Sequence, residues 1–240
     1  MAPVDRSGGH DPDRQVAGIF AVVEYFQAEI ARRRDSGERG GDELLSAMLD
    51  WELDGRPVTD EELVNCCVLL FLAGLDKVGM SLSYGMYHLA THDDDRWRVA
   101  ALAAAGEPMD DVAEEFLRFY AVPENGRKVT RDVEIGGELL KAGDLVVFPL
   151  VAGNRDDALV AGADRVDLRR GGRSVPHLAF GGGPHRCLGS HLARIEMDVA
   201  LAAWHEPIPE YSLGAHDGPL AYWGNVHGMF TLPLTGFGHR

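Results

Sequence analysis

The residues around Cys187 have the types and the spacing that could hold a metal ion and a flat organic group. The segment from Phe180 to Gly189 reads Phe-Gly-Gly-Gly-Pro-His-Arg-Cys-Leu-Gly, and the apolar pattern after it predicts a helix beginning at Cys187. A cysteine in the first turn of a helix meets unpaired backbone N–H groups and the positive end of the helix dipole. Both favour the thiolate, which is the form that binds metals. The three glycines remove side chains from one surface, so a planar group could lie directly on the backbone. The alternative is a glycine-rich turn with an inert cysteine.

The other two cysteines do not extend this site. Cys66 and Cys67 are adjacent in a helical pattern and far from Cys187 in sequence. This arrangement excludes a framework of disulfides and the ligand spacing of a zinc finger or ribbon. We expect both to be small core residues, because free cysteine is usually buried.

The composition limits the classes of function. The chain has 240 residues, 45% hydrophobic and 25% charged, with a formal net charge of -15. This balance is typical of a globular protein, and so acidic a chain is not expected to bind nucleic acid. Residues 1–14 lack the apolar region of a signal peptide, and the apolar stretch Leu63–Leu75 is shorter than the roughly 20 residues of a membrane span. We therefore expect a cytoplasmic protein with no membrane partner.

Helical patterns dominate the first half of the chain. A polar tail over 1–13 is predicted to be disordered, and residues 14–240 are predicted to form a single domain. Thr59 and Glu62 form a capping box ahead of a long helix that ends near Thr91 and whose apolar middle is expected to be buried. The other predicted helices are 14–34, a short one containing Leu44, Leu45, Met48 and Leu49, 93–105 and 109–120.

Short alternating segments follow these helices and predict a small antiparallel sheet. They are Lys128–Ile135, a Gly136-Gly137 turn, Leu139-Leu140, and Leu145–Leu150. A long aperiodic loop over 154–186 leads to the last helix, which carries an apolar stripe of Leu188, Leu192, Ile195, Val199 and Ala202. Met229, Phe230, Leu232 and Leu234 predict a closing hairpin. The fold class is mostly α with small antiparallel β-sheets.

The pattern Phe-x-x-Gly-x-x-x-Cys-x-Gly resembles the haem-binding signature of the cytochrome P450 family. It is matched at Phe180, Gly183, Cys187 and Gly189, and the sequence resembles soluble bacterial members similar to camphor hydroxylase. The resemblance implies haem b as the cofactor, with Cys187 as the only protein ligand to iron. It also places Phe180, Gly181 and Gly189 against the cofactor, and Arg127 and His185 at its propionates.

A second match is Glu115-x-x-Arg118, which resembles a characteristic ion pair of the same family. The resemblance implies that this pair locks onto Arg165 in the loop before the cysteine. By spacing alone it could also be an exposed i,i+3 pair, worth only about 0.2 to 0.5 kcal/mol.

A third match lies in the long helix, where Ala73-Gly74-Leu75-Asp76 resembles the oxygen-binding groove of the family. The resemblance makes Gly74, Asp76 and the next residue, Lys77, catalytic candidates; the alternative for Gly74 is close helix packing. The family has threonine where this chain has Lys77, and a charged lysine has no acceptor lone pair. Oxygen chemistry is then expected to be suppressed, either by the ammonium or by a free amine that binds the iron. In the alternative, Lys77 extends outward into solvent.

The resemblance covers only the latter part of the family, so the expected fold is the C-terminal part of the cytochrome P450 fold without its N-terminal helices. A late gene start, a fragment and a degenerate gene all remain open. The implied function is a monooxygenase that inserts one oxygen atom from O2 into a small hydrophobic substrate. Its electrons would come from NAD(P)H through a redox partner. The alternative is a truncated or degenerate protein that binds haem or a hydrophobic ligand without monooxygenation.

The segment 165–194 is strongly basic in an acidic chain. It has six arginines and one acid, Asp167, for a local charge of plus 5, and the other residues carry minus 20. We expect this surface to dock an acidic ferredoxin-type electron donor. The candidate arginines are Arg169, Arg170, Arg173 and Arg186. The alternative is a solvated loop with some arginines at the propionates.

Overall fold

The computed structural model describes residues 12–37, 43–172, 175–214, 219–222 and 226–236. The chain forms two compact units, Met1–Leu75 (unit 1) and Asp76–Arg240 (unit 2). The expected single domain stays a prediction. Most of the expected tail over 1–13 lies outside the described residues, and the first helix already includes residues 12 and 13.

Unit 1 contains helices on a small apolar core. They are α1 (Pro12–Ser36), α2 (Leu44–Met48) and the first part of α3 (Asp60–Thr91), with a hairpin of β1 (Glu52–Leu53) and β2 (Arg56–Pro57). The capping box is confirmed, because the Thr59 N–H donates to Glu62 Oε2 at 2.8 Å and the Glu62 N–H donates to Thr59 Oγ1 at 3.3 Å. Cys67 is buried among Ile30, Met48, Leu63 and Val64, as expected of a small core residue.

The middle of α3 differs from the prediction. It was expected to be buried, yet Leu69 is 67% exposed, and Phe71, Leu72 and Leu75 are also exposed. The apolar composition of this segment predicted that other residues pack over it, but none of the described residues does so. By length and composition alone, α3 is long and apolar enough to span a membrane. Core helices of water-soluble proteins can have the same length and composition.

Unit 2 is built around three helices and the second part of α3. The helices are α4 (Asp93–Ala104), α5 (Asp110–Phe119) and α7 (Ser190–His205), and the first two agree with the predicted ranges. Their shared core includes Leu89 from α3, Val99 from α4, Phe116 from α5 and Leu201 from α7. Every residue of α5 from Val112 to Arg118 is buried, so this helix lies at the centre of the unit.

The strands of unit 2 form two-stranded antiparallel pairs, which confirms the predicted fold class. β3 (Asn125–Lys128) pairs with β6 (Leu145–Phe148), and β4 (Val133–Ile135) pairs with β5 (Glu138–Leu140) across the expected glycine turn. The predicted strand Lys128–Ile135 is therefore two strands. The break lies at Asp132, whose carboxylate accepts from Lys141 Nζ and the Ala142 N–H, each at 2.9 Å, and turns the chain away from β3.

The expected closing hairpin is only partly correct. β9 (Gly228–Thr231) pairs with β8 (Leu220–Tyr222), so Met229 and Phe230 do lie in a hairpin. Leu234 instead belongs to β10 (Leu234–Thr235), which pairs with β7 (Ser212–Leu213). Between β6 and α7, the described chain contains α6 (Leu150–Asn154) and a 3-10 turn (Gly183–His185), and otherwise follows the aperiodic course expected of it.

Helix α7 differs from the prediction at its start and on its surface. It begins at Ser190, three residues after Cys187, because Gly189 is the N-cap residue and its carbonyl accepts from the Ala193 N–H at 2.9 Å. The predicted stripe is exposed at Leu188 (78%), Leu192, Ile195 and Val199. The buried residues of α7 are Ser190, Met197, Leu201 and His205, so the helix packs through a different face.

Candidate functional site

Cys187 lies at the end of a tight glycine loop. Its backbone N–H donates to the Phe180 carbonyl at 2.8 Å and so closes the loop, and the Arg186 N–H donates to the Gly183 carbonyl at 3.1 Å. Gly181 and Gly183 have φ of +66° and +68°, a region that favours glycine, so the loop needs glycine at these two positions. The Cys187 side chain is exposed.

The backbone beside this thiol is open. A Cβ built on Gly182, Gly183 or Gly189 would meet nothing within 4 Å. A Cβ on Gly181 would lie 3.7 Å from the Asn125 side-chain nitrogen, so the start of β3 flanks the loop. An exposed soft thiol next to a side-chain-free surface fits a planar metal complex that takes one protein ligand. Among the described residues, no group of three or more His, Cys, Asp or Glu could hold a bare metal ion.

The two expected propionate partners lie on separate elements of unit 2. Arg127 is on β3, exposed, with its Nη1 donating to the Gly126 carbonyl at 2.8 Å. His185 ends the 3-10 turn and is exposed two residues before Cys187. Their roles toward a cofactor stay predictions.

The Glu115 and Arg118 pair is buried, in contrast to the surface alternative. Arg118 is 1% exposed and uses all five of its N–H groups. Two donate to Glu115, at 2.8 and 2.7 Å, and the other three donate to the carbonyls of Asn154, Ala163 and Arg165 at 2.8 to 2.9 Å. One guanidinium therefore fixes α5 to the chain over 154–165.

The third member of this cluster is Arg170, where the family resemblance had indicated Arg165. Arg170 Nε donates to Glu115 Oε1 at 3.2 Å, and its other nitrogens donate to the carbonyls of Ala161, Gly162 and Arg165. Arg165 contributes its carbonyl, while its own side chain lies beside Gly162 and is exposed. The chain bends at Arg165 so that its carbonyl meets Arg118, and the Arg170 side chain takes the position beside Glu115.

Two further groups join α5 and this cluster to residues 178–189 (the cysteine loop) or to the residues that flank them, and no spacing pattern indicated either group. The buried Asn154 side chain donates to the Arg118 carbonyl at 2.9 Å and accepts from the Leu178 N–H at 2.6 Å. The buried Glu114 carboxylate contacts His177 and Arg194 on either side of the loop.

The three catalytic candidates of α3 are placed on its exposed middle. Gly74 belongs to unit 1, and a Cβ added there would meet nothing within 4 Å, so close helix packing does not explain this glycine. Asp76 is exposed and Lys77 is half-buried, so neither carries the cost of a fully buried charge. Their roles toward dioxygen stay predictions.

Comparison with known proteins gives one consistent family. The family profile described as Cytochrome P450 matches residues 108–204, which include α5 and the cysteine loop. Pentalenic acid synthase of Streptomyces avermitilis is 35% identical over 88% of this chain and 52% of its own length. Nocardicin C N-oxygenase of Nocardia uniformis subsp. tsuyamanensis is 38% identical over 84% of this chain and 49% of its own.

A solved structure agrees with these relatives. The crystal structure of CYP109E1 from Bacillus megaterium in complex with testosterone superposes with a TM-score of 0.82 at 28% identity. The match covers 93% of this chain and 60% of that one. The chain thus spans about half the length of the curated relatives that it matches.

Proposed function

Since the chain belongs to the cytochrome P450 family, we propose that it binds haem b through Cys187 and acts as a haem-thiolate monooxygenase. The observation that carries this proposal is the exposed thiol of Cys187 at the mouth of a loop whose glycines leave the neighbouring backbone open. Haem bound there would supply an iron centre that activates dioxygen: one oxygen atom would enter a small hydrophobic substrate, and the other would leave as water with two protons and two electrons from the redox partner.

The residues of this chain have separate tasks in the proposal. Cys187 would donate its thiolate sulfur to the iron, and Phe180, Gly181 and Gly189 would line the cofactor site. Arg127 offers a cation, and His185 a hydrogen-bond donor, to the carboxylates of the cofactor. Asp76 would supply a proton to dioxygen.

The exposed arginines of the segment 165–194 support the docking of an acidic electron donor of the ferredoxin type. This donor would pass on electrons from NAD(P)H. Arg169 and Arg186 are exposed and available to it, whereas Arg170 is engaged by Glu115. Arg173, also expected there, lies outside the described residues. Such steering is weakened by salt, because the Debye length falls from about 10 Å at 0.1 M to about 3 Å at 1 M. A reduction rate that is unchanged over this range would contradict the proposed surface. The proposed location is the cytoplasm.

A second candidate function is haem or ligand binding without turnover, and Lys77 is the observation that favours it. A charged ammonium in place of a hydroxyl would hinder proton delivery to dioxygen. Product formed per NAD(P)H consumed separates an enzyme from a binder. We expect this ratio to rise in Lys77→Thr. An equal ratio in both proteins would mean that Lys77 does not suppress turnover.

The test of the main proposal is carbon monoxide binding to the dithionite-reduced, haem-loaded protein. Wild type should give the spectrum of a thiolate-ligated haem, and Cys187→Ser should lose it. Cys66→Ser is the matched control, because Cys66 lies in mid-helix in unit 1, and it should keep the wild-type spectrum. Retention of the thiolate spectrum in Cys187→Ser, or its absence from wild type, would refute the proposal.

A further inference from the structure

A single buried carboxylate holds both sides of the cysteine loop. Glu114 Oε2 accepts from His177 Nε2 at 2.7 Å and from Arg194 Nη2 at 3.2 Å, and Glu114 Oε1 accepts from Arg194 Nε. His177 stands ten residues before Cys187, and Arg194 stands seven residues after it. Glu114 therefore closes the segment 177–194 onto α5, with Cys187 between the two attachments.

The imidazole of His177 is held in one orientation. Its Nδ1 accepts from the Ala179 N–H at 3.2 Å, so in the neutral ring the proton is on Nε2, which donates to Glu114. The same ring thus fixes the backbone at the start of the loop and the carboxylate of α5. This contact needs an acceptor at position 114.

The guanidinium of Arg194 lies over the side chain of Phe180, the residue whose carbonyl closes the loop. Its central carbon lies 4.5 Å from the centroid of the Phe180 ring. Phe180 is the residue whose carbonyl accepts the Cys187 N–H at 2.8 Å. Only two side-chain contacts, Glu114 to Arg194 and Arg194 to Phe180, separate the carboxylate from the backbone of the cysteine.

The ionisation of Glu114 agrees with this geometry. Burial raises its pKa, but the hydrogen bonds and charges of His177 and Arg194 outweigh burial and lower the pKa to about 2. The carboxylate is therefore charged at neutral pH and can accept from both partners at once. A neutral amide of the same shape could not, because one of its two terminal atoms is a donor.

We propose that Glu114 is a positioning residue for Cys187: by gripping His177 and Arg194 it sets the conformation of the loop that presents the thiol. The proposal rests on the proposed function insofar as Cys187 is the haem ligand. The Glu115 and Arg118 cluster is a different set of contacts: it holds the chain over 154–170 and reaches the loop through the Asn154 side chain, which accepts from the Leu178 N–H at 2.6 Å.

The first experiment uses hydrogen exchange and needs no haem. In Glu114→Gln, amide exchange in peptides covering 178–189 should speed up by about tenfold or more, since bonds to a charged acceptor are among the strongest in proteins. Peptides of α4 should keep their wild-type rates. The matched control is Glu124→Gln, which removes another carboxylate of unit 2 that pairs with a histidine, His227, at 3.0 Å. This control should leave the exchange of 178–189 unchanged.

A double-mutant cycle tests whether Glu114 acts through Arg194. Arg194→Lys keeps the positive charge but loses the fork that grips the carboxylate and the flat group over Phe180. It should speed exchange in the same peptides, and adding Glu114→Gln should then speed exchange less than it does in wild type, because only the His177 contact remains to be lost. Arg194→Lys also serves as the independent variant if Glu114→Gln does not fold. Additive effects of the two changes would overturn the proposed route.

The haem-loaded protein supplies a second readout. Glu114→Gln should convert part of the reduced carbon monoxide complex from the thiolate type to a form without thiolate, whereas Glu124→Gln should not. If wild type binds no haem, the proposed function fails, and hydrogen exchange still decides the role of Glu114. Unchanged exchange in 178–189, an equal increase throughout unit 2, or an equal effect of Glu124→Gln would overturn the positioning role.

Discussion

Replacement of Arg118 should be among the most damaging single changes in unit 2. Arg118→Ala removes five hydrogen bonds at once and leaves the Glu115 carboxylate buried, with the Arg170 guanidinium and the Asp167 N–H as its remaining donors. Three backbone carbonyls also lose a donor. Breaking a buried ion pair by removing one partner costs about 3 to 5 kcal/mol. A domain of ordinary stability has about 5 to 15 kcal/mol in total, so this change removes a large part of it.

The assay is urea unfolding followed by hydrogen exchange of the α5 amides, which reports on unit 2 alone. With a slope of about 2 to 3 kcal/mol per M, the expected loss lowers the midpoint by about 1 to 2.5 M. Arg118→Lys should fall between wild type and Arg118→Ala, because an ammonium has three donors for the five acceptors of this site.

The chain contains its own control for this prediction. Glu29 and Arg32 have the same i,i+3 spacing and the same two-pronged contact, at 3.0 and 2.9 Å, but Arg32 is 52% exposed. Arg32→Lys should leave the midpoint of unit 1 unchanged, since exposed pairs contribute little. Equal losses in Arg32→Lys and Arg118→Lys, or no loss in Arg118→Ala, would refute the argument that burial makes the difference.

Two further predictions concern packing and pH. Gly85→Ala should destabilise unit 2 by about 1 to 3 kcal/mol, because the new Cβ would lie 2.7 Å from the Phe116 ring, whereas Gly79→Ala, in open space on α3, should stabilise it by about 0.5 to 1 kcal/mol. Urea midpoints measure both, and a stabilising Gly85→Ala would contradict the packing. Burial lowers the pKa of His88 below 6.5 despite the hydrogen bond to Asp95 at 2.7 Å. As pH falls, the unfolded chain therefore binds a proton at His88 before the folded protein does. The free energy of unfolding should then decrease as pH drops below about 6.5. His88→Gln should lessen that fall, and an undiminished pH dependence in the variant would exclude His88 as its source.

Local signals predicted most of the elements, and tertiary context decided the rest. The capping box at Thr59 and Glu62 located the start of α3, because both of its hydrogen bonds form within one turn. Within the helices, the spacing Glu-x-x-Arg, in contrast, occurs at Glu29 and again at Glu115. Spacing alone gives no reason to expect one pair at the surface and the other in the core. The family resemblance chose Glu115, and its burial is a property of the packed unit.

The apolar stripe of α7 illustrates the same limit. Leu192, Ile195 and Val199 correctly indicated a helix, since their spacing follows its period. Periodicity reports which residues share a face and does not report what covers that face. In the structure α7 packs through Met197 and Leu201 instead. The stripe likewise does not report where the helix starts: Gly189 is the N-cap residue, and its carbonyl accepts the Ala193 N–H at 2.9 Å.

The two neighbouring acids of α5 explain how one helix can position the whole chain between α6 and α7. Consecutive residues of a helix point about 100° apart, so Glu114 and Glu115 face different partners although both are buried. Glu115 accepts hydrogen bonds from Arg118, Arg170 and the Asp167 N–H, and these bonds fix the chain over 154–170. Glu114 accepts hydrogen bonds from His177 and Arg194, which flank the cysteine loop. A long loop without regular structure gains a defined shape only where buried charges bind it, and here the two carboxylates divide that task. Loss of either acid should therefore disturb a different part of the loop, Glu115 the segment before His177 and Glu114 the segment that carries Cys187.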